Sequence, residues 1–352
     1  MRLQAISVGK GVVHNHFDGF VHSVFHHACN ISIDNQSLIT LLSSSLDNVP
    51  QGIRLDTPSD FTFEDYLELG QPVGCRANIL RFGRSSMSID LRSAGSWRSD
   101  LSALRIDLDE PSTFRAWRAV WEKLRCRNHG LAAILTKGSI LEENQSLLSD
   151  TKILVQTARK CFPNLLYTTG KKQVDKAASA LKPLIGLGPG LTPSGDDFIV
   201  GYLTGLWSTA GVERSRRNFL SSIGKWLDTA LNETNEISRT YIIYAIEGEV
   251  SEPLAVLARR IAQGENSNCI KESTEAAFQV GSTSGTDGVL GLLLGILAWY
   301  HSPSQFLSTD FLNGESFGNS SSKEGKNGYT AKNHAQSLSG FSIADAAFIQ
   351  AH

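Results

Sequence analysis

The feature of this sequence that most constrains its fold is a pattern that occurs twice. Ser194-Gly195-Asp196-Asp197-Phe198-Ile199-Val200-Gly201-Tyr202-Leu203-Thr204-Gly205 returns as Ser284-Gly285-Thr286-Asp287-Gly288-Val289-Leu290-Gly291-Leu292-Leu293-Leu294-Gly295, at an offset of 90 residues. Both copies read S-G-x-D-x-x-x-G-x-x-x-G. Glycines four apart fall on one face of a helix, and each costs about 1 kcal/mol relative to alanine in a helix interior. Gly201, Gly205, Gly291 and Gly295 therefore predict two helices packed through a contact that only glycine permits. The Ser and Asp at each helix start predict N-termini that converge on one polar pocket; tight packing in a helical core is the plainer alternative.

A glycine-rich loop, Ile185-Gly186-Leu187-Gly188-Pro189-Gly190-Leu191-Thr192-Pro193, leads into the first copy. Gly186, Gly188 and Gly190 permit positive φ, while Pro189 and Pro193 stiffen the path. Thr192 or Ser194 can cap the helix that follows. Backbone amides at a helix N-terminus attract anions. Gly188, Gly190, Thr192, Ser194 and Gly195, with Ser284 and Gly285 of the second copy, are therefore candidate substrate- or phosphate-binding residues. The loop lacks the Lys-Ser or Lys-Thr of a Walker loop and the spacing of a dinucleotide fingerprint. Asp196 and Asp197 either complement the helix dipole or act on a ligand, by orienting an amide or holding Mg²⁺ beside a phosphate.

Elsewhere the pattern divides the chain. Short β-leaning runs, Leu38 to Leu42, Ile79 to Phe82 and Ser88 to Leu91, are separated by the turn signals Pro50-Gln51-Gly52, Pro58-Ser59-Asp60 and Gly70-Gln71-Pro72. After Pro111, apolar residues recur at three and four, as in Phe114, Trp117, Val120, Trp121 and Leu124. Helical spacing continues through Leu154 to Cys161, Val174 to Leu181, Phe198 to Leu206, Phe219 to Leu231, Ile237 to Ile246, Leu254 to Ala262 and Val289 to Tyr300. The expected fold is α+β. An N-terminal antiparallel β-rich domain spans 1–110, a mainly α-helical domain 111–301, and a Ser/Gly/Asn-rich flexible tail 302–352, with a short helix at Phe341 to Ile349.

Composition removes several function classes. A net charge of −2 leaves no basic excess for nucleic acid. The longest apolar run, Val289 to Tyr300, is too short to span a bilayer, and Met1 to Gly11 does not read as a secretory signal. The five cysteines are scattered without a CxxC pair, which argues for reduced thiols and a cytoplasmic protein. His14, His16, His22, His26 and His27 crowd together, but their spacing fits no standard ligand set, so no metal ligands are assigned. Cys29 beside them reads as a structural thiol, and Ser194 lacks the Gly-x-Ser-x-Gly elbow of a nucleophile. Trp117 and Trp121 read as core.

The decapeptide Gly188-Pro189-Gly190-Leu191-Thr192-Pro193-Ser194-Gly195-Asp196-Asp197 closely resembles the signature of the AllH-like family. Gly19-Phe20-Val21-His22-Ser23-Val24-Phe25 with Ala28 and Asn30, Pro50-Gln51-Gly52-Ile53, Glu236-Ile237-Ser238-Arg239 with Gly248-Glu249, and Gly281 to Asp287 resemble its other motifs. The likeness covers about residues 10 to 300. Ser282 stands where many relatives carry His. The resemblance implies a subunit of the oxamate carbamoyltransferase of anaerobic allantoin degradation, in which oxalurate and phosphate give oxamate and carbamoyl phosphate, working with other subunits on small anionic substrates. Carbamoyl transfer needs an anion clamp and donors for a developing oxyanion. Asp196, Asp197, Asp287 and Arg239 are the candidate catalytic residues. Arg239 would grip phosphate or the oxalurate carboxylate; a surface pairing with Glu236 or Glu247 is its alternative. No cofactor is assigned beyond a possible role for Mg²⁺. The alternatives are a non-catalytic assembly subunit and a Mg²⁺-dependent enzyme acting on phosphate esters.

Overall fold

The computed structural model describes residues 1–12, 16–33, 37–83, 85–135 and 149–300. The expected tail at 302–352 and its short helix lie outside these residues, as does His14.

Nine strands occupy the first hundred residues: β1 (Arg2–Gly9), β2 (His16–Val24), β3 (Ala28–Ile33), β4 (Ser37–Leu42), β5 (Gly52–Asp56), β6 (Pro72–Arg76), β7 (Ile79–Phe82), β8 (Ser88–Asp90) and β9 (Gly95–Trp97). They run in the order β5-β4-β3-β2-β6-β7-β8-β1, and β1 pairs again with β5. Eight strands thus close into a barrel, and β9 extends the β1 edge. Closure removes the free edges that would otherwise template aggregation. Alternation sorts the faces: in β1, Leu3 and Ala5 are buried while Arg2 and Gln4 are exposed. Val21, Ile31, Ile53, Leu55, Leu80 and Ile89 fill the interior and are fully buried. Each such side chain contributes roughly 1.5–3 kcal/mol relative to exposure.

Most ladders are antiparallel, but β1–β8, β1–β9 and β4–β5 are parallel, so the barrel is mixed. The segment after β4 carries the chain back to that strand's start, and Gly52 then pairs with Thr40 in the same direction.

Nine helices follow among the described residues: α1 (Pro111–Leu124), α2 (Ser149–Gly170), α3 (Val174–Leu181), α4 (Ser194–Ala210), α5 (Arg214–Ala230), α6 (Glu236–Ile246), α7 (Glu252–Gln263), α8 (Ser267–Phe278) and α9 (Ser284–Leu297). The molecule is therefore α+β, a barrel followed by helices. Helix α8 has no counterpart in the apolar spacing, because most of its residues are polar. Its start is set by Asn266, whose side chain accepts from the Asn268 and Cys269 amides. Trp117 and Trp121 are buried and stack at 5.4 Å between centroids.

Helix α9 is buried from Gly285 to Leu297 and forms the axis of the helical part. Helix α4 lies against it through the repeated glycines. A Cβ on Gly201 would stand 1.9 Å from the Gly288 carbonyl oxygen, and one on Gly291 would stand 2.2 Å from that of Phe198. On Gly205 and Gly295 the clash would be 2.3 Å, with the carbonyls of Leu292 and Tyr202. The contacts keep close to the 90-residue offset, so the two helices run parallel and both begin at the same end.

Two glutamates seal the barrel to the helices. Glu249 accepts from the Ser99 amide (2.9 Å), the Ser99 hydroxyl (3.0 Å), the Asp100 amide (3.3 Å) and Lys10 Nζ (3.3 Å). Glu252 accepts from the Asn48 amide (3.0 Å) and side chain (2.7 Å).

Candidate functional site

Because α4 and α9 are parallel, their first turns stand side by side. In each, the repeated glycine makes room for the end of a preceding element. A Cβ on Gly195 would lie 1.9 Å from the Leu184 carbonyl oxygen, and one on Gly285 would lie 1.9 Å from that of Ala277. The same residues donate their amides backward, Gly195 to Leu187 (2.8 Å) and Gly285 to Val280 (2.7 Å). Those two amides are therefore engaged with the protein's own carbonyls and do not face a ligand.

The hydroxyls and acids cross over between the repeats. Ser194 of the first copy hydrogen-bonds Asp287 of the second, and Ser284 of the second hydrogen-bonds Asp197 of the first. Thr192 and Ser284 join their hydroxyls at 2.8 Å. Asp287 also accepts from the Leu131 amide at 2.6 Å, at the start of a short 3-10 helix. Burial pushes the Asp287 carboxyl up to about 7, against the pull of Ser194, the Leu131 amide and Thr283. Burial also drives Asp197 well above the usual carboxylate range, and repulsion from Asp287 adds to it. In both carboxyls Oδ2 is buried without a hydrogen-bond partner.

Asp197 forms part of the wall of a cavity of about 80 Å³ between the barrel and the helices. Thr192, Ser284, Gly285 and Gly288 line the same wall, Tyr241 and Val200 flank it, and Leu42, Asp47 and Val49 face it from the barrel. No lysine, arginine or histidine among the described residues lines it. The Tyr241 phenol is raised to about 12, by burial first and then by the Asp197 charge, and it hydrogen-bonds Gln51 of the barrel. Gln51 is 1% exposed and its Oε1 has no partner.

The sequence-expected residues divide accordingly. Asp197, Asp287, Thr192, Ser194, Ser284 and Gly285 come together. Asp196, next door, points elsewhere: it accepts from the Gly186 amide (2.8 Å) and the Thr234 hydroxyl (2.5 Å). It pins the glycine loop to the start of α6, and burial outweighs these bonds to raise its carboxyl. Gly188 and Gly190 hold φ of +116° and +102°, which suits glycine, and shape the loop without lining the cavity. Arg239 lies half-buried on α6 and does not line it either. Glu236, considered for Arg239, approaches His22 at 3.2 Å. Tyr241, Gln51 and the Leu131 amide carry no spacing signal that would have found them.

No three His, Cys, Asp or Glu side chains converge as a metal site among the described residues. Burial pushes the Cys29 thiol up to about 12, which leaves it unreactive. All five cysteines are free. No helix of the described residues is long and apolar enough to cross a membrane.

Fold and site together define a barrel-plus-helices protein whose duplicated helix starts bring two acids together, one of which, Asp197, reaches the wall of a cavity between barrel and helices. Residues 4–96 match the AllH family N-terminal domain, and residues 184–296 match the family described as oxamate carbamoyltransferase subunit AllH. The two matches cover more than half of the chain, and the chain belongs to the AllH family. No solved structure matches it.

Proposed function

We propose that this chain takes part in carbamoyl transfer between oxalurate and phosphate, giving oxamate and carbamoyl phosphate, with the carbamoyl end of the substrate seated in the interdomain cavity. One observation carries the reading: Asp197 and the hydroxyls of Thr192 and Ser284 line one wall of the cavity, and Asp287 of the second helix start acts on Asp197 from within the fold. A carbamoyl group offers N–H donors on one side and a carbonyl oxygen on the other. A carboxylate oxygen of Asp197 suits the first, and the Thr192 and Ser284 hydroxyls suit the second. In the reaction a phosphate oxygen bonds the carbamoyl carbon, the bond from that carbon to the oxamate nitrogen breaks, and the nitrogen takes up a proton. Fixed donors beside the carbonyl would stabilise the oxyanion that forms in between. The free state of all five cysteines supports a cytoplasmic setting.

The test is oxamate-dependent turnover of carbamoyl phosphate by the assembled subunits, alongside calorimetry of the chain with carbamoyl phosphate, phosphate and oxalurate. Asp197→Ala is expected to lower turnover by about a hundredfold or more and to abolish binding. Full activity of that variant would remove the cavity from the reaction.

A second reading, that of a non-catalytic assembly subunit, draws on Leu191, which is 44% exposed within the signature loop. In that case Leu191→Asp would block association with the other subunits, while Asp197→Ala would leave turnover intact.

A further inference from the structure

We infer that Asp197 and Asp287 form a divalent-cation site, in which one Mg²⁺ or Mn²⁺ bridges the two carboxylates at the start of α4 and α9. The unpartnered oxygens carry the argument. Asp287 is fully buried, and its Oδ2 has no hydrogen-bond partner; the Oδ2 of Asp197 is likewise buried and unpartnered, while its side chain reaches the cavity wall. A buried carboxylate oxygen without a donor costs several kcal/mol unless a cation or donor meets it.

The other buried acids show what satisfaction looks like in this molecule. Asp90 is met by Arg2 and Arg92, Asp196 by an amide and a hydroxyl, and Glu249 by two amides, a hydroxyl and Lys10. The helix-start pair stands apart from these three. Among the described residues, no lysine, arginine or histidine is seen to act on either carboxyl or to line the cavity beside them.

The donor set selects the kind of ion. Two carboxylates with the hydroxyls of Thr192, Ser194 and Ser284 offer only hard oxygen, which suits Mg²⁺ or Mn²⁺ rather than Zn²⁺ or Cu²⁺. Because no third acid joins the pair among the described residues, the remaining positions fall to water or substrate in the cavity. Mg²⁺ is commonly held in this way, by one or two carboxylates and substrate phosphate oxygens. The cation would also give a phosphate-bearing substrate something to bind in a cavity whose charged groups are all acids. That last link rests on the proposed function; the cation site itself does not.

The experiment is a titration of the full chain with Mn²⁺, read by the loss of the free-ion electron paramagnetic resonance signal and repeated with Mg²⁺ as competitor. Thermal unfolding with and without Mn²⁺ accompanies it. One Mn²⁺ is expected to bind, to be displaced by Mg²⁺ and to raise the unfolding temperature. Asp197→Asn and Asp287→Asn should each weaken binding by at least about tenfold and lose the thermal shift. A folded wild-type chain that binds no Mn²⁺ at millimolar concentration, or variants that bind it as well as wild type, would overturn the cation site. Either result leaves the carbamoyl reading to be judged by turnover of the assembled subunits.

Discussion

At the seam between barrel and helices, Glu249 is surrounded by donors: two amides, a hydroxyl and a lysine. At the starts of α4 and α9, Asp287 is just as deeply set and Asp197 reaches the cavity wall, yet each keeps a buried oxygen without a hydrogen-bond partner among the described residues. Both regions bury acid where the chain crosses itself over a long sequence distance. The difference is one of purpose. An acid closed off by its own protein holds structure, whereas an acid left open at a cavity wall is held ready for something that enters. Asp196 and Asp197 show that one peptide step separates the two kinds.

Substitution should separate these roles, and the largest effect is expected at the seam. Glu249→Ala leaves the Ser99 amide and hydroxyl and the Asp100 amide without their acceptor. It should cost about 3 kcal/mol in urea-induced unfolding. An unchanged midpoint would mean that Glu249 does not hold the two halves together. Asp287→Asn should behave differently in metal-free buffer. It removes a repulsive charge and retains an oxygen for the Leu131 amide, so stability should stay within about 1 kcal/mol of wild type or rise. A loss as large as that of the Glu249 variant would place Asp287 among the structural acids.

The smallest effect is expected at Asp90, a closed acid within the barrel. The Arg92 side chain and amide, and then Arg2, hold its carboxyl well below the usual range. A folded-state value below the unfolded one contributes stability above the ordinary carboxylate pKa, and that contribution disappears as pH falls through and below it. Urea midpoints of wild type should therefore drop on acidification below about 3.8, more steeply than those of Asp90→Asn. Parallel pH profiles for the two would show that the β1–β8 closure does not depend on this charge.

Much of the architecture was legible in residue spacing, for stated reasons. Apolar residues at three and four place α1 and α4, and the glycine spacing foretells the parallel contact of α4 with α9, because backbone carbonyls approach where a Cβ would stand. Helix α8 escaped, since its start is set by the Asn266 cap and not by an apolar stripe. Parallel pairing of β4 with β5 also escaped, because strand direction depends on where a loop returns and not on alternation within either strand. In the site, the S-G-x-D repeat brought Asp197 and Asp287 together on paper as it does in space. What it could not assign was which member of Asp196-Asp197 turns inward. Position along a helix start fixes the direction of a side chain only once the neighbouring turns are placed. Tyr241 and Gln51 arrive from other elements and share no spacing with the motif.

The parallel pairing of α4 with α9 also bears on how the molecule is made. The partner of α4 lies about 90 residues further along, and α5 to α8 come between them. A growing chain therefore exposes the glycine face of α4 with nothing to cover it until α9 has been synthesised. Contacts of such wide sequence separation close late and slowly. The barrel, whose strands all precede α1, has no such wait. Asp287 arrives on the last described helix, so the pocket comes into being only when the helical half is complete. A chain halted earlier carries every barrel strand but only half of the site.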